Sequence, residues 1–149
     1  MKQVEVSRHV ASPVGRVWEV ATDLTGAPDV LRAVTSVEVL TDGPFGVGTR
    51  WRETRTMLGR SATEEMAVTA VDPHRSYTAE AHSGGARYVS TFTFVPAAGG
   101  TDVTVGFAGT PTGRVTAALA ALTAPLVRRS VVTALRADLA DIAAAAERG

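Results

Sequence analysis

The sequence predicts one small α+β domain, in which a curved antiparallel sheet closes over a long C-terminal helix. Two observations predict it. Six of seven segments with period-two alternation follow one another through short, turn-forming connections, the pattern of an antiparallel meander and not of alternating parallel units. After Pro111 the pattern then changes completely: residues 115–147 hold no glycine and carry Ala, Leu, Val and Arg at helical spacing. A chain of 149 residues suits one domain spanning 1–149, with enough length for a sizeable core.

The elements follow in order. Residues 3–10 alternate, with Val4, Val6 and Val10 on one face, Arg8 on that same face, and Gln3, Glu5 and Ser7 on the other. Ser12-Pro13 predicts a helix start, Ser12 as the cap and Pro13 in the first helical position. Val14, Val17, Trp18 and Ala21 give that helix, over 13–21, one apolar face. Asp23 is placed to cap a second short helix ending near Arg32, and Pro28 limits its regularity because it lacks an amide hydrogen.

Val34, Val37 and Val39 open the second strand region, and residues 42–48 are a glycine-rich loop. Further strands are predicted over about 49–58, 62–71, 76–82, 86–95 and 101–108. The turns between them are Gly59-Arg60-Ser61, Asp72-Pro73-His74-Arg75, Ser83-Gly84-Gly85 and the stretch from Pro96 to Gly100. An unbroken helix over 115–147 would be about 50 Å long at 1.5 Å per residue, so Pro125 is expected to divide or bend it. Beyond Pro125, the residues Val131, Leu135, Leu139, Ile142 and Ala146 form an apolar stripe. The large apolar surface left for it to cover is the concave face of the sheet.

Composition excludes several classes. Hydrophobic residues make up 45%, charged residues 20%, and the formal net charge is zero, which is ordinary for a globular domain and lacks the basic excess of a nucleic-acid binder. There is no cysteine, so disulfides, thiolate nucleophiles and Cys-ligated metals are out. The N-terminus alternates almost at once, without the apolar core of a secretory signal. No apolar run reaches membrane-spanning length, since Arg128, Arg129, Arg136, Asp138 and Asp141 interrupt the Ala-rich tail. The expectation is a cytoplasmic protein without membrane insertion. The fourteen arginines against one lysine admit two readings, anion recognition or a coding bias toward arginine and alanine.

A coiled sheet over one helix leaves interior volume that small side chains do not fill. Ala79, Ala81, Gly106, Ala108 and the helix alanines contribute little, and Phe, Tyr and Trp together number eight. Retained apolar volume is destabilising, about 24 cal/mol per Å³ in one series, and a protein that keeps it often uses it for a ligand. A sheet flattened onto the helix is the alternative.

Strand three carries the most chemical face. Trp51, Glu53, Arg55 and Met57 share one side, and Arg50, Arg52, Thr54 and Thr56 the other. If the first set is concave, a carboxylate and a guanidinium point inward and must be paired. Arg55 would then stabilise negative charge on a ligand oxygen, and Glu53 would orient it or remove a proton. A plain structural or exposed ion pair is the other reading. Tyr88, Phe92 and Phe94 share a face of strand six, Val103, Val105 and Phe107 a face of strand seven. With Leu135 and Leu139 from the helix stripe, these aromatics are candidate ligand contacts. Tyr77, on strand five, could serve as Tyr88 does.

His82, at a strand end, is a weak acid–base candidate. His9, His74 and His82 are isolated, so no metal is expected. Phe45 stands between glycines in the loop before strand three and is a candidate gate, or else a tucked-in turn residue.

Several local motifs resemble the START-like (SRPBCC) superfamily, more narrowly its polyketide cyclase/dehydrase and lipid-transport group. They are Ser12-Pro13-Val14 with Val17-Trp18, Asp23-Leu24, Gly46-Val47-Gly48-Thr49 entering a strand, Asp72-Pro73 between strands, Phe92-Thr93-Phe94 before Gly99-Gly100-Thr101, and the Leu-patterned last helix. The resemblance implies a helix-grip fold, a pocket between sheet and C-terminal helix, an apolar ligand and no cofactor. The family often has an aromatic residue shortly after the proline of the second helix, where this chain has Asp29-Val30-Leu31; if Val30 or Leu31 takes that place, the resemblance implies a thinner pocket wall there.

Three functions follow. The first is binding, transport or sensing of an apolar small molecule (lipid-, sterol- or polyketide-like) without obligatory catalysis. The second is an aromatic polyketide cyclase or dehydratase using Arg55 and Glu53. The third is a protein-interaction module with a toxin-like or regulatory role, its surface including Arg50, Arg52 and Arg60. A homodimer is compatible with any of them.

Overall fold

A computed structural model describes residues 3–57, 59–83, 85–111 and 114–148, with residues 57, 83, 111 and 114–124 described by backbone alone. The elements are β1 (Val4–Val10), α1 (Val14–Thr22), α2 (Ala27–Val30), β2 (Val34–Val39), β3 (Arg50–Met57), β4 (Arg60–Asp72), β5 (Ser76–Ser83), β6 (Ala86–Ala97), β7 (Gly100–Pro111) and α3 (Arg114–Arg148). The seven strands form one sheet in the order β1-β7-β6-β5-β4-β3-β2, and every neighbouring pair is antiparallel. From β2 onward each strand lies beside its successor in sequence, and the first strand joins the last. This is the helix-grip arrangement.

Two register shifts, between Val34 and Ser36 and between Val68 and Ala70, add local twist of the kind that bends a sheet. Alternation sets the concave face. Opposed residues share a face, so Val6, Val105, Phe92 and Tyr77 form one row across four strands, and Val4, Phe107, Ser90, Ala79 and Val68 form the next. The face carrying Arg50 and Arg52 is convex and wet. Arg50 pairs with Glu65 there, and Arg52 pairs with Glu38 and Glu65.

The core extends across the concave face, taking in Trp51 on β3, Val68 on β4 and Tyr77 and Ala79 on β5. Val4, Val6, Val10, Val17, Phe94, Val103, Val105, Leu139, Ile142, Ala143 and Ala146 are all buried there, each valine or leucine contributing about 1.5–3 kcal/mol. Trp18 packs against it half-buried, edge-on to Phe94 at 5.3 Å and to Tyr77 at 6.0 Å. Glu147 accepts the Ala11 amide hydrogen at 2.9 Å, which ties the end of α3 to the exit of β1.

Several boundaries differ from those expected. Ser12 does not cap α1. Pro13 occupies the cap position, and its carbonyl accepts the amides of Arg16 and Val17. Ser12 is buried, with its carbonyl accepting the Thr101 hydroxyl at 2.8 Å. Asp23 closes the turn ahead of α2 by accepting the Gly26 amide, and α2 keeps only Ala27–Val30. Strands β4, β6 and β7 run longer than alternation alone indicates. Pro96 lies within β6, exposed and opposite Thr101, and Ala98-Gly99 makes the turn, Gly99 at a φ of +77°.

Pro125 does not divide the last helix, which runs unbroken from Arg114 to Arg148. Residues 125–130, from the proline onward, are all exposed. Leu126 is 71% exposed. The helix therefore stands clear of the packed core over 125–130 and grips the sheet beyond it.

Candidate functional site

Where α3 crosses the edge of the sheet, charged groups meet. Arg55 on β3 donates through both terminal nitrogens to Asp138 of α3, at 3.1 and 2.8 Å, and through Nε to Glu53 at 2.6 Å. The Trp51 indole lies 3.4 Å from the other oxygen of Glu53. These side chains are largely but not wholly covered: Arg55 is 26% exposed, Glu53 16% and Asp138 11%. One turn further on, Asp141 accepts both the amide and Nε of Arg32 at 3.0 and 3.1 Å. Glu64 stands directly opposite Glu53 on β4.

The cluster carries more negative than positive charge. Burial alone would weaken the protonation of Arg55, but Asp138 and Glu53 outweigh it and raise its pKa further. Asp138 moves the other way for a carboxylate. Burial lifts its pKa above the ordinary value, with Arg55 opposing and with Glu53 and Asp141 adding to the rise. One guanidinium cannot neutralise two carboxylates at once, and the surplus is felt by the more deeply set of them.

Tyr77 lies on β5, opposite Phe92. It is buried, stacked on Phe92 at 4.9 Å and 10°, with Phe45 edge-on at 5.1 Å. Burial chiefly, then the charges of Glu53 and Asp138, raise its pKa, so its hydroxyl keeps its proton.

The residues predicted from the sequence separate into groups. Trp51, Glu53 and Arg55 lie together on the concave side; the side chain of Met57 lies outside the described residues. Phe94 and Leu139 belong to the packed core. Phe92 and Leu135 are half-buried against it. Tyr88 and Phe107 stand apart from that core, half-buried and stacked on each other at 5.6 Å and 22°. Phe45 is half-buried against Trp18 and Tyr77. His82 is exposed and alternates with inward-facing Ala81, so it points to the convex side, away from Glu53 and Arg55. Arg8 is exposed near Arg136, where a small cleft also reaches Val6 and Leu139.

Asp138 is the residue that sequence reasoning passed over, as one of several charges interrupting an apolar tail. A signal was present: Val131, Leu135, Asp138 and Ile142 follow one another at spacings of four, three and four, which puts the aspartate inside the apolar stripe and not across from it.

A broader groove of about 960 Å³ lies among α1, α2, the turn at His74 and the end of α3, lined by Arg16, Trp18, Val30, His74, Ala145 and Arg148 among others. It shares no residue with the charged cluster. Among the described residues, no group of three or more His, Asp or Glu side chains is placed to hold a metal, and no helix is long and apolar enough to cross a membrane.

The fold defines the helix-grip class, a sheet wrapped about a terminal helix. More narrowly, the family model for polyketide cyclase/dehydrase and lipid transport matches residues 1–147, and the chain belongs to that family. Among solved structures it is similar to TTHA0849 from Thermus thermophilus, with 23% identity, coverage of 99% and 98% of the two chains and a TM-score of 0.82. It is also similar to the Zhui aromatase/cyclase from Streptomyces sp. R1128, with 20% identity, 99% and 94% coverage and a TM-score of 0.77. The di-domain ARO/CYC StfQ of the steffimycin biosynthetic pathway matches at 15% identity and a TM-score of 0.82, over 98% of this chain and 50% of its own. These identities establish a shared fold. No protein of curated function matches the chain.

Proposed function

We propose that the protein binds an apolar small molecule of lipid, sterol or polyketide type on the concave side of its sheet, as a carrier or sensor that performs no obligatory chemistry. One observation carries this reading: Tyr88 and Phe107 stack on each other on the concave face yet stand outside the packed core and keep part of their surface exposed. Aromatic surface left uncovered within a concavity is surface that an apolar guest can cover. The exposed stretch of α3 over 125–130 supports the same reading, since the helix does not seal against the sheet there. Phe45 stands beside the same concavity, and as a gate it would have to leave its contacts with Trp18 and Tyr77.

The test is titration with N-phenyl-1-naphthylamine, a neutral apolar probe that brightens in a dry site. Saturable binding that weakens in Phe107→Ala supports the reading. Absence of binding, or binding indifferent to that substitution, counts against it.

A second reading is favoured by the junction of Glu53, Arg55 and Asp138. In it Arg55 would steady an enolate oxygen of a poly-β-ketone, and a carboxylate would take the proton, as in a cyclase or dehydratase. The similarity to aromatase/cyclases adds a precedent for the fold. Incubation with a poly-β-ketone thioester and product analysis distinguishes the two. Turnover abolished in Arg55→Met would place catalysis first.

A further inference from the structure

We propose that the cleft shared by Arg8 of β1 and Arg136 of α3 is a binding site for a phosphomonoester, a group carrying close to two negative charges. The site is separate from the aromatic surface of Tyr88 and Phe107 and does not depend on it.

Alternation places Arg8 on the apolar face of β1. Val4, Val6 and Val10 on that face are buried, and Arg8 lies opposite Val103, which is buried too. The strand thus offers a guanidinium where the face otherwise offers valine. Arg8 reaches solvent because β1 is an edge strand. Arg136 comes from the helix, about one turn ahead of Leu139, and is likewise exposed. The two line a cleft of about 230 Å³ together with Val6, Ser7 and Leu139.

No carboxylate answers them. Neither arginine has an ion pair among the described residues. The carboxylates of α3 are committed elsewhere: Asp138 to Arg55, Asp141 to Arg32 and Glu147 to the Ala11 amide. Glu5 of β1 alternates to the convex face, and Asp102 of β7 is taken there by His9 at 2.7 Å. No Asp or Glu occurs from 103 through 137. Two like charges beside one cleft repel, and an anion between them turns that repulsion into attraction.

The chemistry selects among anions. Two guanidiniums supply two positive charges and two planar forks of donors. A carboxylate has one charge and two oxygens, which a single fork satisfies. A phosphomonoester brings about −1.5 to −2 charges at neutral pH and three acceptor oxygens, which suit two forks. The floor is apolar, since Val6 and Leu139 are both buried. The cleft is smaller than the roughly 300 Å³ at which sites for drug-sized ligands begin. It therefore takes the phosphate and a small apolar group beside it, and the rest of the ligand stays outside. A free phosphomonoester and the headgroup of phosphatidic acid share this chemistry.

Phenyl phosphate and benzoate, titrated calorimetrically at neutral pH and fixed ionic strength, test the site. Phenyl phosphate should bind about tenfold tighter than benzoate. Arg8→Gln and Arg136→Gln should each weaken it about tenfold, the worth of a charge-assisted hydrogen bond, and thermal melts establish that both variants are folded. Sedimentation with phosphatidylcholine vesicles carrying phosphatidic acid or phosphatidylglycerol separates the sources. Pelleting with phosphatidic acid alone, lost in both variants, supports the site with the lipid headgroup as its ligand. Phenyl phosphate binding without pelleting supports it with a free phosphomonoester. The proposal is overturned by benzoate binding as tight as phenyl phosphate, by phenyl phosphate affinity unchanged in the folded variants, or by pelleting as strong with the singly charged phosphatidylglycerol. Neither phenyl phosphate binding nor pelleting with phosphatidic acid overturns it as well.

Discussion

Arg55 and Asp138 meet as a guanidinium fork against a carboxylate, at 3.1 and 2.8 Å, and so join the third strand to the terminal helix across 83 positions of sequence. Removing one partner leaves the other charge largely buried with too few partners, which is more damaging than removing both. Asp138→Ala should therefore cost about 2 kcal/mol, at the lower end for such breaks because Arg55 keeps Glu53 and some solvent. The double substitution Arg55→Met with Asp138→Leu should cost less than the two single changes summed. Urea unfolding of the four proteins in a double-mutant cycle checks it, and simple additivity would mean that the pair does not couple.

The same junction predicts a pH dependence. Asp138 has its pKa raised above the ordinary 3.8, first by burial. A carboxyl with a raised folded pKa contributes stability that is full below its unfolded value and lost as pH rises through the folded value. Wild type should thus gain stability relative to Asp138→Asn as pH falls from neutrality toward about 4. Unfolding free energies of both proteins at several pH values test this. A difference that is flat, or that shrinks on acidification, would contradict the assigned direction.

The aromatic residues of neighbouring strands should divide into two behaviours. Phe94 lies in the centre of the core against Trp18, so Phe94→Ala should cost about 3–5 kcal/mol. Phe107, half-buried and outside that core, should cost under about 2 kcal/mol on the same change. The proposed binding surface predicts the reverse order for ligand: Phe107→Ala should weaken N-phenyl-1-naphthylamine about tenfold, as a lost aromatic platform would. Thermal melts together with probe titration separate the two effects. Equal loss of stability at both positions would remove the distinction.

Much of this was legible beforehand, for identifiable reasons. Period-two alternation, with glycine or proline at each turn, located all seven strands, and the period alone put Trp51, Glu53 and Arg55 on one face. The helix stripe from Val131 to Ala146 was legible for the same reason. What alternation cannot tell is which buried charge meets which. Asp138 is distant in sequence from Arg55, and its pairing depends on how far the sheet coils around the helix. Ser12 looked like a cap because serine before proline often is one. Its carbonyl is instead claimed by Thr101, a partner brought in by the pairing of β1 with β7. Pro125 looked like a break because proline forgoes a hydrogen bond, yet the helix runs through it from Arg114 to Arg148.

The joint between the first and last strands rests on a glycine. A Cβ on Gly100 would lie 2.0 Å from the carbonyl oxygen of Val10 and 3.0 Å from both the Ala11 Cα and the Ser12 nitrogen. All three are backbone atoms, so no side chain can swing aside, and the chain leaving β1 would have to shift. That chain is anchored by Val10 in the core, by the Thr101 hydroxyl on Ser12, and by Glu147 on Ala11. Gly100→Ala should therefore destabilise by about 2–4 kcal/mol, the range of backbone collisions and lost core contacts. Gly43→Ala serves as a contrast: a Cβ there meets nothing within 4 Å, but φ is +90°, so its cost is conformational and about 1 kcal/mol. Chemical denaturation of both variants decides the matter. If Gly100→Ala proved no worse than Gly43→Ala, the close approach of β1 to the start of β7 would not be the constraint that holds this edge of the sheet.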